Sequence, residues 1–298
     1  MKATLTVFTP TFNRAYCLHQ CYNSLLRQSE KDFIWLVIDD GSTDNTRELV
    51  NSWIKESKIH IQYHYQENQG MHGGHNAAYR LINTPLNVCI DSDDYMPPKA
   101  VEIILKNWYR IKDKPEFAGL VGLDADKQGQ IIGSKIPEHL NETTLYDLYH
   151  FEGVKGDKKL VYRTDVVKKY PPYPIYKGER FVPLGYLYQL IDQDFVLLPL
   201  NEILCIVEYM PDGSSLNMLK QYRRHPNGFG FTRVSGMRLA KTQQDLFKNA
   251  VHYVSCAIFT KNRAFLKESP KKLATLLAIP FGILLNLYIR TKTNKKTL

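Results

Sequence analysis

Three aspartates fall within four residues at Asp91-Ser92-Asp93-Asp94, directly after the apolar run Val88-Cys89-Ile90. Carboxylates crowded at the end of a buried strand repel one another, and burial of unpaired charge is costly. A divalent cation resolves that conflict. Hard oxygen ligands select Mg2+ or Mn2+ over zinc, and such an ion commonly also holds substrate phosphates. Asp91 and Asp93 are therefore candidate metal ligands, with Asp94 as an alternative. The plainer reading is a solvated acidic turn in which Asp94 caps the next helix.

A second acidic cluster, Asp39-Asp40-Gly41-Ser42, follows another apolar run. One of its carboxylates could accept from a base N–H or a ribose hydroxyl, and it could equally cap a helix. Gly70 to Asn76 is Gly-rich and opens a helical pattern, so its backbone N–H groups could face a phosphate or a sugar. Neither a Walker A loop nor G-x-G-x-x-G is present.

These clusters need elements to place them. Thr4–Thr9 reads as a strand broken by Pro10, and Arg14–Gln28 as a helix. Phe33–Ile38 is a continuous apolar run, as in a parallel strand covered on both faces. Ser42 or Thr43 would cap a helix reaching about Trp53. Ile59–Tyr65 and Leu86–Ile90 read as the third and fourth strands, with a helix at Met71–Ile82 between them. Pro97 or Pro98 would start a helix to about Trp108, and Phe117–Leu123 would be the fifth strand. Such alternation predicts an α/β fold with a Rossmann-like, mainly parallel sheet flanked by helices. Ligands bind beyond the carboxyl ends of such strands, where Pro10–Arg14, Asp39–Asp44 and Asp91–Asp94 all fall. From Gly129 to Met210 the pattern is less regular, Leu204–Tyr209 reads as a last strand, and residues 234–268 read as helical.

Together these pieces resemble the family-2 glycosyltransferases, which have the GT-A fold. Thr9-Pro10-Thr11-Phe12-Asn13-Arg14 is similar to that family's strand-one signature, and Val37 through Asp44 to its second. Glu67 to Gly70 with His75 to Ala78 is similar to its third, and Asp91-Ser92-Asp93-Asp94 fits its D-x-D metal motif. The resemblance covers about residues 3–125, and more loosely continues to about 215.

It implies a nucleotide-sugar donor, most often a UDP-sugar. Thr9, Pro10, Thr11, Asn13 and Asp40 would hold uridine, with Asp39 as the alternative to Asp40. His75, beside Asn76, stands where the family often has arginine near the uracil or diphosphate. Asp91 and Asp93, flanking Ser92, would bind Mn2+ or Mg2+ or the ribose. The resemblance also implies inversion at the anomeric carbon by direct displacement. That needs a base for the acceptor hydroxyl and a stabilised leaving diphosphate. Glu179, in Lys177-Gly178-Glu179-Arg180, resembles the family's acidic motif, with Arg180 in place of a second acid; Asp192 and Asp194 are the other candidates. Asp212 to Ser215 followed by Arg223-Arg224-His225 resembles a segment that closes over the diphosphate.

The chain has 298 residues, 44% of them hydrophobic and 23% charged, which excludes disordered, collagen-like and disulfide-scaffold classes. Its net charge is +9, yet Lys261 to Leu298 holds nine basic residues and one acidic, a net +8. The near-neutral remainder argues against nucleic acid and for an anionic membrane surface as partner. Leu273–Ile289 is 17 residues without a formal charge, bounded by Lys271-Lys272 and by Arg290, Lys292, Lys295 and Lys296. That segment is read as an interfacial or shallowly inserted helix, against the alternatives of a packed terminal helix or a short span. Five scattered cysteines read as reduced thiols, and the first residues lack a signal-peptide shape, so a cytoplasmic, peripheral location is expected.

The predicted organisation is a GT-A domain over 1–215, split into donor (1–125) and acceptor (126–215) halves. A lid and helices follow over 216–268, and a basic tail over 269–298. The leading function is an inverting, metal-dependent glycosyltransferase that acts on a glycan or lipid-linked acceptor in surface polysaccharide synthesis. Two alternatives stand beside it. A sugar-nucleotide nucleotidyltransferase would usually carry a Gly-rich loop with Arg and Lys after the first strand, which Thr9–Arg14 lacks. A non-catalytic nucleotide-sugar-binding membrane partner would not need Asp91, Asp93 and Glu179.

Overall fold

In the computed structural model, which describes residues 3–208 and 217–294, the N-terminal apolar runs become parallel strands. These are β1 (Leu5–Thr11), β2 (Phe33–Asp39), β3 (Ile61–Tyr65) and β4 (Leu86–Cys89). They alternate with α1 (Ala15–Leu26), α2 (Thr46–Glu56) and α3 (Met71–Leu81), and α4 (Ala100–Ile111) follows β4. Both faces of the strands are buried. Val7, Trp35, Val37 and Val88 share one core with Leu18, Leu25, Val50, Ile104 and Trp108 of the helices. Phe8, Leu36 and Ile38 point the other way, onto Ala77 and Ala78 of α3. Two-sided burial is why these strands read as unbroken apolar runs.

β1 runs through Pro10 rather than stopping before it. Phe8 faces β4, accepting from Ile90 N, so alternation turns Pro10 the same way. Pairing with β4 ends at Phe8, so the missing N–H breaks no ladder bond.

Three more strands complete the sheet: β5 (Phe117–Ala125), β6 (Lys158–Arg163) and β7 (Val196–Ile206). The order is β3-β2-β1-β4-β6-β5-β7. β6 is antiparallel to both neighbours, and β5 and β7 are parallel. The fifth strand is therefore not the neighbour of the fourth, and the last strand begins at Val196 instead of Leu204. Short α5 (Leu145–His150) and α6 (Thr164–Val167) lie on either side of β6 in the chain.

The chain divides into two compact units, residues 1–172 with 190–210, and residues 173–189 with 211–298. The boundary differs from the predicted one, because residues 173–189 join the second unit. That unit contains α7 (Gly185–Ile191, in part), α8 (Met218–Arg224), α9 (Pro226–Leu239) and α10 (Gln243–Thr260). It ends in α11 (Phe265–Glu268) and α12 (Lys272–Thr293).

Within the second unit, burial and then the cations of Arg233 and Lys248 push the His252 imidazole down to about 4. An unfolded histidine titrates near 6.5, so as pH falls the unfolded state takes up its proton first. Stability is then complete above about pH 6.5 and is lost progressively toward pH 4, by roughly 2 kcal/mol at pH 5. Thermal midpoints should fall more steeply between pH 7 and 5 in the wild type than in His252→Phe; parallel slopes would refute the assignment.

Candidate active site

The loops after β1 and β2 are clasped to each other. Asn13, at a left-handed φ of 53°, accepts at Oδ1 from the Thr43 N–H (2.7 Å) and the Thr43 hydroxyl (3.3 Å). Its own N–H donates to Ser42 Oγ at 2.9 Å. Asp44 accepts from Ala15 N at 3.0 Å and from the Thr46 hydroxyl at 2.6 Å. Ser42 and Thr43 are taken up by this clasp, so α2 begins at Thr46 and not at those residues. The Asn13 side chain thus shapes the loop, a different role from the expected contact with uridine. Thr9 is fully buried and accepts from Trp35 Nε1 at 3.0 Å, so its side chain is also a packing group. Thr11 is buried, and its hydroxyl has no hydrogen-bond partner among the described residues.

The two adjacent aspartates differ. Asp39 is 0% exposed, with Oδ1 accepting from Ser42 N (2.8 Å) and Oδ2 from the Tyr63 hydroxyl (2.5 Å). Asp40 is 4% exposed and binds the opposite wall: Gln66 Nε2 (2.7 Å), Gln69 N (2.9 Å) and Gly70 N (2.7 Å). Asp40 therefore occupies backbone N–H groups at the start of α3 that were expected to face a phosphate. Of the pair, it alone retains any surface.

Behind this, α3 lies close on β1. A Cβ at Gly74 would come within 3.0 Å of the Pro10 Cβ, so only glycine fits without displacement. His75, expected near the diphosphate, is 1% exposed, with Nδ1 at 3.0 Å from Met71 O and its ring edge-on to Phe8. Burial pushes its pKa down, against the opposing pull of the Met71 carbonyl and then of Asp91. Asn76 is half-buried on the next position of α3.

The acidic turn after β4 splits into two roles. Asp94 N donates to Asp91 O at 3.0 Å and closes the turn. Asp94 itself is 4% exposed, and Oδ1 accepts from Glu208 N at 3.0 Å. Burial pushes its pKa up to about 8, with Lys159 pulling the other way. Asp94 is thus committed to the Glu208 N–H, which leaves Asp91 and Asp93 as the more exposed carboxylates of the turn. Asp91 and Asp93 stay half-buried, and Ser92 between them is buried.

Sequence reasoning missed Lys159. Its ammonium, on β6, lies 3.9 Å from Asp124 Oδ1, with side-chain exposures of 13% and 4%. Burial alone would lower its pKa, but Asp124, then Cys205, Asp94 and Asp91, override this and hold it charged. A protein cation thus already offsets part of the carboxylate crowding that suggested a metal. Among the described residues no group of three metal-capable side chains gathers. Two accessible carboxylates still fit Mg2+ or Mn2+, which take one or two carboxylates and complete their shell with water and phosphate oxygens. They do not fit a zinc site.

In the second unit, both oxygens of Glu179 are engaged. Oε1 accepts from Asn227 N (2.9 Å) and Nδ2 (2.7 Å), and Oε2 from Gly228 N (2.9 Å). The expected base therefore caps the first turn of α9. His225 Nδ1 accepts from Arg180 N at 3.0 Å. Arg223 donates to Thr293 Oγ1 at 3.0 Å and to Asn294 Oδ1, and so is turned to the end of α12. Arg224 is exposed, and Asp212 to Ser215 lie outside the described residues. In the first unit, Asp192 accepts from Leu145 N and Tyr146 N at the start of α5, and Asp194 from the Tyr170 hydroxyl at 2.7 Å.

Residues 6–116 match the family described as Glycosyl transferase family 2. The chain is 33% identical over 152 residues to the chondroitin synthase of Pasteurella multocida (strain Pm70), covering 49% of this chain and 15% of that protein. It is 37% identical over 105 residues to the validoxylamine A glucosyltransferase of Streptomyces hygroscopicus subsp. jinggangensis (strain 5008), covering 34% of this chain and 24% of that protein. The chain thus spans a quarter or less of the length of these two relatives. The crystal structure of S. aureus TarS 1-349 superposes with a TM-score of 0.62 at 15% identity, over 99% of this chain and 93% of that one. The mannosyltransferase PcManGT from Pyrobaculum calidifontis, in complex with GDP-Man and Mn2+, gives a TM-score of 0.57 at 15% identity, over 98% and 84%. The match to glycosyl transferase family 2 thus falls on residues 6–116, the stretch that carries the polar clusters at the ends of β1, β2 and β4, and the chain as a whole has the GT-A fold that TarS shares.

Proposed function

We propose that this protein transfers a sugar, with inversion, from a UDP-sugar to a hydroxyl of a glycan or lipid-linked saccharide in surface polysaccharide synthesis. The observation that carries the reading is the division of labour after β4, with Asp94 turned inward while Asp91 and Asp93 stay half-exposed at the strand end. In support, TarS has been solved with UDP-GlcNAc, PcManGT with GDP-Man, and a synthase of a polysaccharide is among the relatives. Location on the inner face of a membrane is part of the proposal.

In this mechanism Asp40 and the loop clasped by Asn13 form the wall for the nucleoside, and Pro10 and Thr11 form its floor. Asp91 and Asp93 would hold Mg2+ or Mn2+, which when bound supplies charge stabilisation to the departing diphosphate. Glu179 takes the acceptor proton. Each carboxylate oxygen offers two acceptor sites, so Oε2 keeps one beyond its bond to Gly228 N.

A thermal-shift screen of UDP-, GDP- and TDP-sugars with and without Mn2+ tests the donor, since a ligand bound only by the folded state raises the midpoint. UDP-sugars should give the largest shift and need the metal; no shift with any of them would refute the reading. Glu179→Gln should slow transfer about 10²–10⁴-fold with donor binding unchanged. A loss of about 1 kcal/mol in stability with transfer rate retained would instead leave Glu179 as a helix cap alone.

A further inference from the structure

α12 has its polarity reversed relative to a helix that faces water. Between Leu273 and Tyr288 every exposed position is apolar: Leu273, Leu276, Leu277, Pro280, Phe281, Ile283, Leu284, Leu287 and Tyr288. Leu273, Leu277 and Leu284 are 71%, 60% and 64% exposed. The polar side chains of the same stretch, Thr275 and Asn286, point inward at 0% and 3% exposure. There they are satisfied: Thr275 Oγ1 lies 2.6 Å from Ser269 Oγ, and Asn286 Nδ2 donates to Ser255 O at 3.1 Å. Apolar patches of this extent mark a surface that meets something other than water.

The inner face is fastened to α10. Ala278 packs with Ala250 and Val254, and a Cβ at Gly282 would fall 2.5 Å from the Val254 Cβ. α10 carries Gln243, Gln244, Asp245, Lys248 and Asn249, which cannot enter hydrocarbon without cost. A spanning α12 would have to leave α10 and expose Thr275 and Asn286 to lipid. The charges point the same way. Lys271 and Lys272 precede the apolar face and Arg290 and Lys292 follow it, so both ends of the helix are cationic. Cationic ends suit a helix lying flat, with both in one layer of anionic headgroups.

We propose that α12 docks in the plane of an anionic membrane surface, through the face formed by Leu273, Leu276, Leu277, Phe281, Leu284 and Leu287, while its opposite face stays on α10. The occupant is lipid rather than a second copy of the chain, because cationic ends on identical faces would oppose self-association and attract phosphate headgroups. This goes beyond the proposed donor chemistry and does not depend on it.

The test uses the full chain with phosphatidylcholine vesicles and with vesicles containing one quarter phosphatidylglycerol. Sedimentation should show binding to the anionic vesicles on the order of tenfold tighter or more, weakened by salt. Leu277→Glu with Leu284→Glu should reduce binding by a similar factor and leave any UDP-sugar thermal shift unchanged, so that donor binding and docking are read separately. Leu273→Trp, Phe281→Trp and Leu287→Trp should all be quenched best by lipids brominated near the headgroup. Deep quenching at Phe281→Trp with shallow quenching at the other two positions would mean a span and overturn the in-plane proposal. Absence of vesicle binding would overturn it as well. So would a dimer that Leu277→Glu with Leu284→Glu turns into a monomer, since a second copy would then cover the face.

Discussion

Asp93→Asn should lower sugar transfer about a thousandfold while leaving the fold intact. The substitution keeps the size and removes the charge. Charge stabilisation of a leaving diphosphate contributes several kcal/mol, and each 1.36 kcal/mol is tenfold in rate. Asp93 is half-buried on the turn, whereas Asp94 binds Glu208 N and supports the turn from within. Asp93→Asn should therefore abolish the Mn2+-dependent part of the donor-induced thermal shift without moving the midpoint of the free protein. Asp94→Asn should do the reverse, with lower stability and a donor shift still present. Equal, small losses of activity in the two variants would show that the turn does not divide its labour in this way.

Lys159→Met should destabilise the first unit by about 3–5 kcal/mol, the loss that follows when one partner of a buried ion pair is removed. Lys159 faces Asp124 at 3.9 Å, with Asp91 and Asp94 also within its field. Methionine restores most of the packing volume but leaves the carboxylates without a counter-charge. Urea unfolding measures the effect, and Lys159→Met with Asp124→Asn should recover much of the loss, as expected for a coupled pair. A change under 1 kcal/mol for Lys159→Met would mean that water already screens the cluster.

Much of the first unit was legible in the chain. Parallel strands covered on both faces show as apolar runs, and the polar clusters that end them mark the ligand edge of the sheet. The order of helices and strands through β5 follows from these two signals. β6 does not show in the same way, because it opens with Lys158 and Lys159, which look like surface charge. Lys158 Nζ is instead surrounded by the carbonyls of Lys155 (2.8 Å) and Gly156 (3.1 Å), and Lys159 is largely withdrawn from solvent, 3.9 Å from the Asp124 carboxylate. Partners far apart in sequence make both burials tolerable.

By itself the sequence determined the family-2 motifs of its first 116 residues, the parallel half of the sheet, and the types of side chain gathered at its edge, because hydrophobic period and motif order are local properties. The tertiary structure alone decided which of two adjacent aspartates keeps a surface, which acid of the D-x-D-D turn faces inward, and that Glu179 holds a helix end. It also decided which way α12 turns its apolar side. Each of those outcomes depends on donors, cations or helices brought from distant parts of the chain, and neighbouring residues of the same type differ only in what the fold sets opposite them.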